Sequence, residues 1–432
     1  TPPFRAPESV FTPVTLDASQ RAVVDLDLGQ SAAILGAAGT GKTATLIEFV
    51  ADRVDRLGVS ADEILVLTPQ RLAANRLRLA LGERLHVATN GPLARTPMSL
   101  AFGLAAEGAF ARGVEPPSML TGSEQDAILA SLLILDSSRV SWPEQLAFDT
   151  RQSRTFRTEL RDLYSRCIDN GWGPVDLARI ARERGGENAA AWDAAAQFWQ
   201  HEYEPALADA RTNHFDIATL LRQGAVALAD PSVMPRVRLI VVDDAQELTR
   251  GALGLIRAFA ARGLPVVMFG DPDTAATTFR GADPSILGSI GEIVPGATTL
   301  TLANVHRFGG VARQFVSSIT NRIGAARAGT QRAAVSAPKN GLTSLEVIER
   351  ASSVSELIAI ARRLRECSVY DKVPFKKMAV VLRSGAQVSD VARVLAVNEV
   401  PTRTLISDRS LKDQSIVRDL LRVVEVGLGR RE

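Results

Sequence analysis

The sequence predicts an α/β protein whose parallel sheet is interrupted by a helical insertion. Short apolar runs rich in β-branched residues end at turn or functional residues, as in SAAIL before Gly36, ILVL before Thr68 and VRLIVV before Asp243. Runs that are apolar on both faces are typical of buried parallel strands. Helical patterns lie between these runs, which is the alternation expected of a parallel sheet. PVVMF, TLTL and MAVVL are further predicted strands, at 265–269, 299–302 and 378–382.

Strand signals disappear between residues 105 and 212. EQDAILASLLIL, RTFRTELRDLYSRCI and ENAAAWDAAAQFWQHEY show helical spacing of alanine, leucine and charged residues. We therefore expect a helical subdomain at 105–212, inserted into a first α/β domain made of 1–104 and 213–295. Residues 296–432 are expected to begin a second α/β domain.

Composition limits the possible function classes. The 432 residues, 46% of them hydrophobic, suggest two or three domains. Lys and Arg number 50 against 48 Asp and Glu, so any basic groove for nucleic acid must be local. Cys167 and Cys367 fit no metal-ligand spacing and no disulfide framework, which favours a reducing, cytoplasmic setting. No apolar run approaches the ~20 residues of a membrane span, so no membrane partner is expected.

The strongest motif is GAAGTGKT at 36–43, called the phosphate loop below. It matches G-x-x-x-x-G-K-[ST] between an apolar strand and a helix, a context that argues against a chance glycine turn. In this pattern, backbone amides and a helix N-terminus surround phosphate oxygens. The residues expected to do so are Gly36, Ala37, Ala38, Gly39, Thr40 and Gly41. Lys42 is expected to pair with the β- and γ-phosphates of ATP, and Thr43 to hold Mg²⁺.

LIVVDDAQEL, at 239–248, supplies the acidic partner of the phosphate loop. Asp243 ends a predicted buried strand and is expected to hold Mg²⁺, while Asp244 orients or deprotonates the attacking water. An acidic helix cap after an ordinary strand is the alternative. In LDASQRAVVDL, Gln20 precedes the first strand. Its amide can pair with the adenine edge, although an exposed helical glutamine is the simpler alternative.

These stretches, with FGDPDTAATTFRGADP at 269–284, resemble the UvrD/Rep/RecB-like group of superfamily 1 DNA helicases. Members carry Q-x-x-A-V, GxxGxGKT, a DExQ box and G-D-x-x-Q-x-I-Y-x-F-R-G-A in this order, and the resemblance spans nearly the whole chain. Within the group, the sequence is most similar to the UvrD-like motor of actinobacterial AdnAB-type helicase–nucleases. Of the two subunits of such a complex, it resembles the AdnA-like one. The resemblance implies RecA-like domains, 3′→5′ translocation on single-stranded DNA and a role in repair or recombination. It also implies a second helicase–nuclease subunit as partner.

The resemblance also implies a role for individual residues. Gln20 would read adenine, and Gln246 would couple the nucleotide site to the DNA side. Arg307 would contact the γ-phosphate as an arginine finger. His306 would lie near the base, where relatives often stack a tyrosine. The residues implied to contact DNA are Thr68, Arg71, Thr96, Phe279 and Arg280. A core position for Phe279 and a solvated helix position for Arg307 are the alternatives.

Five positions depart from the family pattern, and three of them lie on the hydrolysis and sensing side. Leu72 and Arg76 replace the lysine and glutamate that relatives often carry after their TFTN-like segment. Asp244 replaces a glutamate, Thr274 replaces the glutamine that senses the γ-phosphate, and Thr277 replaces a tyrosine. An aspartate is shorter than a glutamate by one carbon–carbon bond, ~1.5 Å. A misplacement of about 1 Å can cost ~100-fold in rate. We therefore expect ATP to bind and hydrolysis to be slower than in a motor with the full pattern.

Two other function classes remain open from the sequence. A non-catalytic ATP- and DNA-binding scaffold subunit of a helicase–nuclease heterodimer is favoured by the three departures and opposed by the intact phosphate loop. A nucleoside kinase or a transporter ATPase would have no DNA contact at Phe279 and Arg280. After IVRDLLRVVEVGLGRRE the T-x-H-x-x-K-G stretch of the family is not present. We therefore expect the second RecA-like domain to be incomplete.

Overall fold

The helices and strands were identified in a computed structural model. The structure describes residues 14–210, 213–230, 233, 236–325, 328–336 and 345–403, with 420, 423, 424 and 427. The strands are β1 (Ala32–Leu35), β2 (Ile64–Leu67), β3 (Ala94–Arg95), β4 (Ser118–Met119), β5 (His214–Phe215), β6 (Leu239–Val242), β7 (Val266–Gly270), β8 (Thr298–Thr301), β9 (Asn304–Val305) and β10 (Val335–Ser336).

The α-helices of the described residues lie beside these strands, with a run of six between β4 and β5. They are α1 (Ala18–Val24), α2 (Lys42–Asp55), α3 (Arg71–Leu85), α4 (Pro97–Ala111), α5 (Gly122–Ile134), α6 (Phe148–Gln152), α7 (Arg154–Asp169), α8 (Pro174–Arg184), α9 (Ala189–Phe198), α10 (Glu204–Ala210), α11 (Ile217–Ala229), α12 (Arg250–Ala260), α13 (Ile290–Ile293), α14 (Gly310–Thr320), α15 (Ser353–Val369) and α16 (Val388–Val397). None of these described helices is long and apolar enough to cross a membrane.

Six strands form one parallel sheet in the order β3-β2-β6-β7-β1-β8. The predicted α/β class with a parallel sheet is therefore confirmed. Consecutive residues of a strand point to opposite faces. Ile240 and Met268 pack into a core with α4, α11 and α12. Val241 and Phe269 pack into a second core with α1, α2 and α3. Helices on both faces explain why these strands are apolar throughout.

The sheet extends past the boundary predicted at residue 296. β8 pairs in parallel with β1, with Ala32 opposite Thr298 and Leu35 opposite Thr301. Without β8, one edge of β1 would expose its backbone donors and acceptors. The chain divides into two compact units, Thr1–Thr343 and Ser344–Glu432. The first strand after the predicted boundary therefore belongs to the first sheet.

Hydrogen-bonding side chains begin several helices of the first unit. Asp17 caps α1, Thr96 caps α4, Asp216 caps α11 and Thr249 caps α12. Each side chain accepts a hydrogen bond from a backbone amide of the first turn, which has no partner inside the helix. These caps fix the residues at which the four helices begin.

The predicted helical insertion has a hydrophobic core of its own. Buried residues of this core include Leu129, Leu160 and Phe198. The ring of Tyr164 packs against Trp199 at 4.7 Å and against Tyr203 at 5.6 Å between centroids. The short parallel pair of β4 with β5 joins the chain where it enters and leaves these helices. An aromatic core of this kind allows the insertion to keep its shape beside the sheet.

The described part of the second unit contains α15 and α16. They share a small core of Ala361, Val391, Leu395 and Val400. The prediction of a strand at 378–382 is wrong, because this segment lies outside every strand of the described residues. A strand forms only where a neighbouring strand accepts and donates its backbone hydrogen bonds, and the described residues of this unit contain no such neighbour.

Phe269 and Phe279 should differ in how much they contribute to the free energy of unfolding. Phe269 is fully buried, and its ring meets that of Phe49 at 6.3 Å between centroids. Phe269→Ala should lower the free energy of unfolding by about 3–5 kcal/mol. The matched variant Phe279→Ala removes a side chain that is 63% exposed, so its effect should be below about 0.5 kcal/mol. Urea unfolding followed by circular dichroism measures both, and equal losses would contradict these placements.

Candidate functional site

The candidate site lies at the carboxyl edge of the parallel sheet. Gly36 follows β1, Thr68 follows β2, Thr96 follows β3, Asp243 follows β6 and Asp271 follows at the end of β7. Ligands of open α/β sheets bind outside these strand ends. Since the strands are parallel neighbours, residues far apart in the sequence meet at one edge.

The phosphate loop has the backbone geometry of an anion-binding turn. Gly39 and Gly41 have φ values of 85° and 82°, in the left-handed region that favours glycine. Gly41 immediately precedes α2, so the N-terminus of this helix points at the loop. The Nζ of Lys42 donates to the carbonyl oxygens of Gly36 at 2.8 Å and Ala37 at 3.3 Å. The ammonium group is therefore held inside the loop that would surround the phosphates.

Opposite charges surround the half-buried side chain of Lys42. Burial lowers the pKa of Lys42, while the carboxyl groups of Asp271, Asp243 and Asp244 oppose that change. Burial likewise raises the pKa of Asp271, and Lys42 opposes it. Buried charges are tolerated when they are paired in this way. The site therefore keeps a cation in place for a phosphate without an excess of positive charge.

Thr43 and Asp243 form the candidate magnesium pair. The hydroxyl of Thr43 donates to Oδ2 of Asp243 at 2.8 Å. Burial and the nearby Asp244 raise the pKa of Asp243 to about 6, against the effects of Thr43 and Lys42. The described residues contain no group of three or more His, Cys, Asp or Glu side chains that could hold a metal. One hydroxyl and one carboxylate beside a phosphate loop nevertheless fit Mg²⁺, which keeps several waters and phosphate oxygens as ligands.

Gln246 connects the two family departures nearest the phosphates. Its Nε2 lies 3.4 Å from Oδ1 of Asp244 and 3.5 Å from the hydroxyl of Thr274. Its Oε1 accepts from the backbone amide of Asp271 at 3.1 Å. Asp244 itself has a φ of 51°, a left-handed conformation that aspartate adopts more readily than most residues. The predicted catalytic carboxylate is therefore within reach of the predicted coupling residue.

Gln20 is buried against the phosphate loop, with 2% of its surface exposed. Its Nε2 donates to the carbonyl oxygen of Thr40 at 3.1 Å, and its Oε1 accepts from the backbone amide of Asp17 at 3.0 Å. The alternative of an exposed helical glutamine is therefore wrong. The side chain keeps further donor and acceptor capacity, so adenine reading stays a prediction.

The segment after β8 lies directly on the phosphate loop. The backbone amide of His306 donates to the carbonyl oxygen of Gly39 at 2.9 Å. Its ring Nε2 lies 3.0 Å from Oδ2 of Asp17, which also accepts from Asn304 at 3.1 Å. A Cβ on Gly39 would approach the Cβ of Arg307 to 3.2 Å. The exposed side chain of Arg307 therefore starts beside the loop, and its role as an arginine finger stays a prediction.

Phe279 and Arg280 form an exposed pair. Phe279 is 63% exposed, so its alternative as a core residue is wrong. The guanidinium carbon of Arg280 lies 5.4 Å from the centroid of the Phe279 ring. A flat aromatic face beside a cation suits a base and its phosphate. We call the segment Thr277–Arg280 the platform turn.

The other predicted DNA contacts differ in exposure. Thr68 is 1% exposed, and its hydroxyl has no hydrogen-bond partner within the described part of the chain. A buried hydroxyl without a partner is uncommon. The hydroxyl of Thr96 accepts from the amide of Ser99 at 3.2 Å and so begins α4. Arg71 is exposed at the first position of α3. All three residues lie at or just beyond the carboxyl ends of β2 and β3.

Sequence reasoning missed Asp17, Asp271 and Glu247. Asp271 and Glu247 are 2% and 8% exposed. Asp271 could have been found by its place directly after an apolar strand, the same signal that identified Asp243. Asp17 could have been found as a helix cap three residues before Gln20. The sequence contains no comparable signal for Glu247, because its partners are backbone amides of a distant segment.

Asp17 predicts a pH-dependent contribution to stability. Although burial by itself would raise the pKa of Asp17, hydrogen bonds from Ser19, Gln20, Asn304 and His306 lower it to about 2. Ionised Asp17 therefore stabilises the fold above its unfolded pKa of about 3.9, and this contribution is lost as the pH falls towards 2. Asp17→Asn, which can still cap α1, should cost about 1–2 kcal/mol at about pH 6 and less at about pH 3. Urea unfolding at both values measures the difference, and a constant difference would contradict the assignment.

Comparison with known proteins agrees with this arrangement. The family model described as UvrD/REP helicase N-terminal domain matches residues 16–294, which is more than half of the 432 residues. No curated protein matches the chain. The matched region contains the phosphate loop, Asp243, the platform turn and five of the six strands of the parallel sheet, which is consistent with a RecA-like domain. The chain therefore belongs to the UvrD/REP family of superfamily 1 helicases.

Proposed function

We propose that the chain is the motor portion of an ATP-dependent translocase or helicase acting on single-stranded DNA. One observation carries the proposal: a phosphate loop with a Thr43–Asp243 pair shares one sheet edge with the exposed platform turn. A nucleotide site and an aromatic nucleic-acid surface on the same rigid sheet are what an ATP-driven motor needs. A kinase or transporter ATPase has no use for the second feature.

The nucleotide side follows from the contacts of the phosphate loop. Lys42 holds the β- and γ-phosphates, while Thr43 and Asp243 supply oxygen atoms for Mg²⁺. Bound Mg²⁺ neutralises charge on the phosphates. Asp244 orients the attacking water, and Arg307 approaches the γ-phosphate from the segment that rests on the loop. Gln20 fixes the loop through Thr40 and presents its remaining capacity to adenine.

The DNA side follows from the other strand ends. Phe279 stacks on a base, an interaction of ~1–3 kcal/mol that tolerates any sequence. Arg280, Arg71 and Thr96 contact the backbone, and the unpartnered hydroxyl of Thr68 turns to a phosphate. The resemblance supports 3′→5′ movement, cytoplasmic repair or recombination, and DNA ends as substrates. It also supports a second helicase–nuclease subunit as the partner of an AdnA-like chain.

A non-catalytic scaffold subunit is the second candidate. Asp244 is one carbon–carbon bond shorter than the family's glutamate, and Thr274 cannot span the distance that a glutamine spans. The amide of Gln246 reaches both of them at 3.4 and 3.5 Å, which are long hydrogen bonds. We therefore expect Asp244 and Thr274 to slow ATP hydrolysis, whereas the residues that bind the phosphates are all present. We favour a motor with slowed hydrolysis because Lys42, Thr43 and Asp243 are all in place.

Two single variants separate the nucleotide site from the DNA site. Lys42→Ala should raise the Kd for Mg-ATP at least about tenfold and abolish hydrolysis, because the phosphates lose their cation. Phe279→Ala should leave that Kd unchanged and weaken binding of a single-stranded oligonucleotide about tenfold, because one base stack is lost. Fluorescent nucleotide and DNA titrations measure both constants.

ATPase and unwinding assays decide between the function classes. An ATPase rate that single-stranded DNA does not change would contradict the motor and favour a kinase or transporter ATPase. Unwinding by a complex with a second subunit that survives Lys42→Ala would favour the scaffold. The Arg84 partner Glu48 offers a control site on the same domain, since Glu48→Gln removes only an ion pair between α2 and α3.

Restoring the family residues should accelerate hydrolysis. The double variant Asp244→Glu, Thr274→Gln extends the carboxylate by ~1.5 Å and returns an amide to the position facing the γ-phosphate. We expect the DNA-stimulated turnover to rise about tenfold, since a misplacement of about 1 Å costs up to ~100-fold. A coupled phosphate-release assay at saturating DNA measures it. Turnover that stays equal or falls would show that the two departures do not limit hydrolysis.

A further inference from the structure

We propose that Glu247 is a positioning residue that ties the platform turn to the nucleotide site and so transmits DNA binding to hydrolysis. The inference rests on the proposed function, because it requires both a nucleotide and a DNA site. Glu247 is adjacent to Gln246 on the short helical turn Ala245–Glu247, which begins after Asp244. We call Asp244–Glu247 the acidic turn.

Both carboxylate oxygens of Glu247 accept hydrogen bonds from the start of the platform turn and the residue before it. Its Oε1 accepts from the backbone amide of Ala276 at 2.6 Å. Its Oε2 accepts from the backbone amide of Thr277 at 3.0 Å and also from the hydroxyl of Thr277. The residue is only 8% exposed. A buried carboxylate is costly without hydrogen bonds, so these donors and the carboxylate stay together when either segment moves.

Further links continue the attachment on both sides. The amide of Asp283 donates to the carbonyl oxygen of Leu248 at 3.0 Å, and Thr249 forms an antiparallel bridge with Ala282. Within the platform turn, the amide of Arg280 donates to the carbonyl oxygen of Thr277 at 2.8 Å. The chain after Asp244 is therefore joined at three successive points to the chain around Phe279.

The acidic turn faces the phosphates at its other end. Gln246 reaches Asp244, Thr274 and the amide of Asp271, as described above. One peptide bond thus separates the side chain that touches the hydrolytic group from the side chain that holds the platform turn. A shift of Phe279 on binding a base is passed through Thr277 and Glu247 to Gln246 and Asp244.

Thr277 contributes a side-chain donor to the contact with Glu247. The family pattern has a tyrosine at this position, whose hydroxyl lies at the far end of a ring. The threonine hydroxyl is attached to Cβ and donates directly to the buried carboxylate of Glu247. The third departure on the hydrolysis side is therefore part of the same connection as the other two.

The test compares Glu247→Gln with wild type and with Glu48→Gln in the full chain. The glutamine keeps the size of the side chain, but its amide group meets a backbone donor instead of accepting from it. ATP hydrolysis is measured at saturating Mg-ATP with and without a single-stranded oligonucleotide, together with the Kd for fluorescent nucleotide and the melting temperature. We expect the stimulation ratio of Glu247→Gln to fall about tenfold, as for the loss of a hydrogen bond to a charged group. The nucleotide Kd should stay within about twofold of wild type.

The control and a second variant keep the test decisive. Glu48→Gln, which removes the ion pair with Arg84, should keep the wild-type ratio. Thr277→Val removes one of three donors and should lower the ratio about threefold; it carries the test if Glu247→Gln does not fold. An unchanged ratio in the variant that folds, or equal losses with and without DNA, would overturn the positioning role. A wild-type chain without DNA stimulation would instead contradict the proposed function itself.

Discussion

The parallel pairing of β1 with β7 on one side and β8 on the other decides where the candidate nucleotide-binding groups lie. β1 ends in the phosphate loop, β7 ends at Asp271, and the chain after β8 folds back onto Gly39. β6 pairs with β7 on its far side and brings Asp243 to the hydroxyl of Thr43. Since parallel strands end at the same edge, this order alone assembles a phosphate site from segments far apart in sequence.

Buried charge is the second constraint, and the structure meets it by mutual compensation. Lys42 lies among three aspartates, and its own pKa and those of Asp243 and Asp271 shift in the directions that burial imposes. The pKa of Asp17 shifts in the opposite direction, because several hydrogen-bond donors stabilise its ionised form. A phosphate fits beside Lys42 and a cation fits beside the aspartates, because each ligand would meet a side chain of opposite charge. Asp17 instead serves the architecture, joining α1 to the segment of His306.

The three departures on the hydrolysis side of the family pattern contact two adjacent side chains. Gln246 contacts Asp244 and Thr274, and Glu247 contacts Thr277. In the sequence these positions are up to 33 residues apart and look like independent losses. In the structure they surround one turn that has Asp244, the predicted catalytic carboxylate, at one end and the platform turn at the other. The three changes therefore all lie along the connection that we propose between the nucleotide site and the platform turn.

The amino-acid sequence by itself determined the phosphate loop, the strand that ends at Asp243 and the α/β class, since each depends on residues close together in the chain. It also identified Phe279, although it left open whether that side chain lies in the core. Only the tertiary structure decided that Phe279 is exposed, that Gln20 is buried against Thr40, and that β8 completes the first sheet. It alone revealed Glu247. Burial and hydrogen-bond partners arise from packing between distant segments, and a local pattern carries no record of which segments will meet.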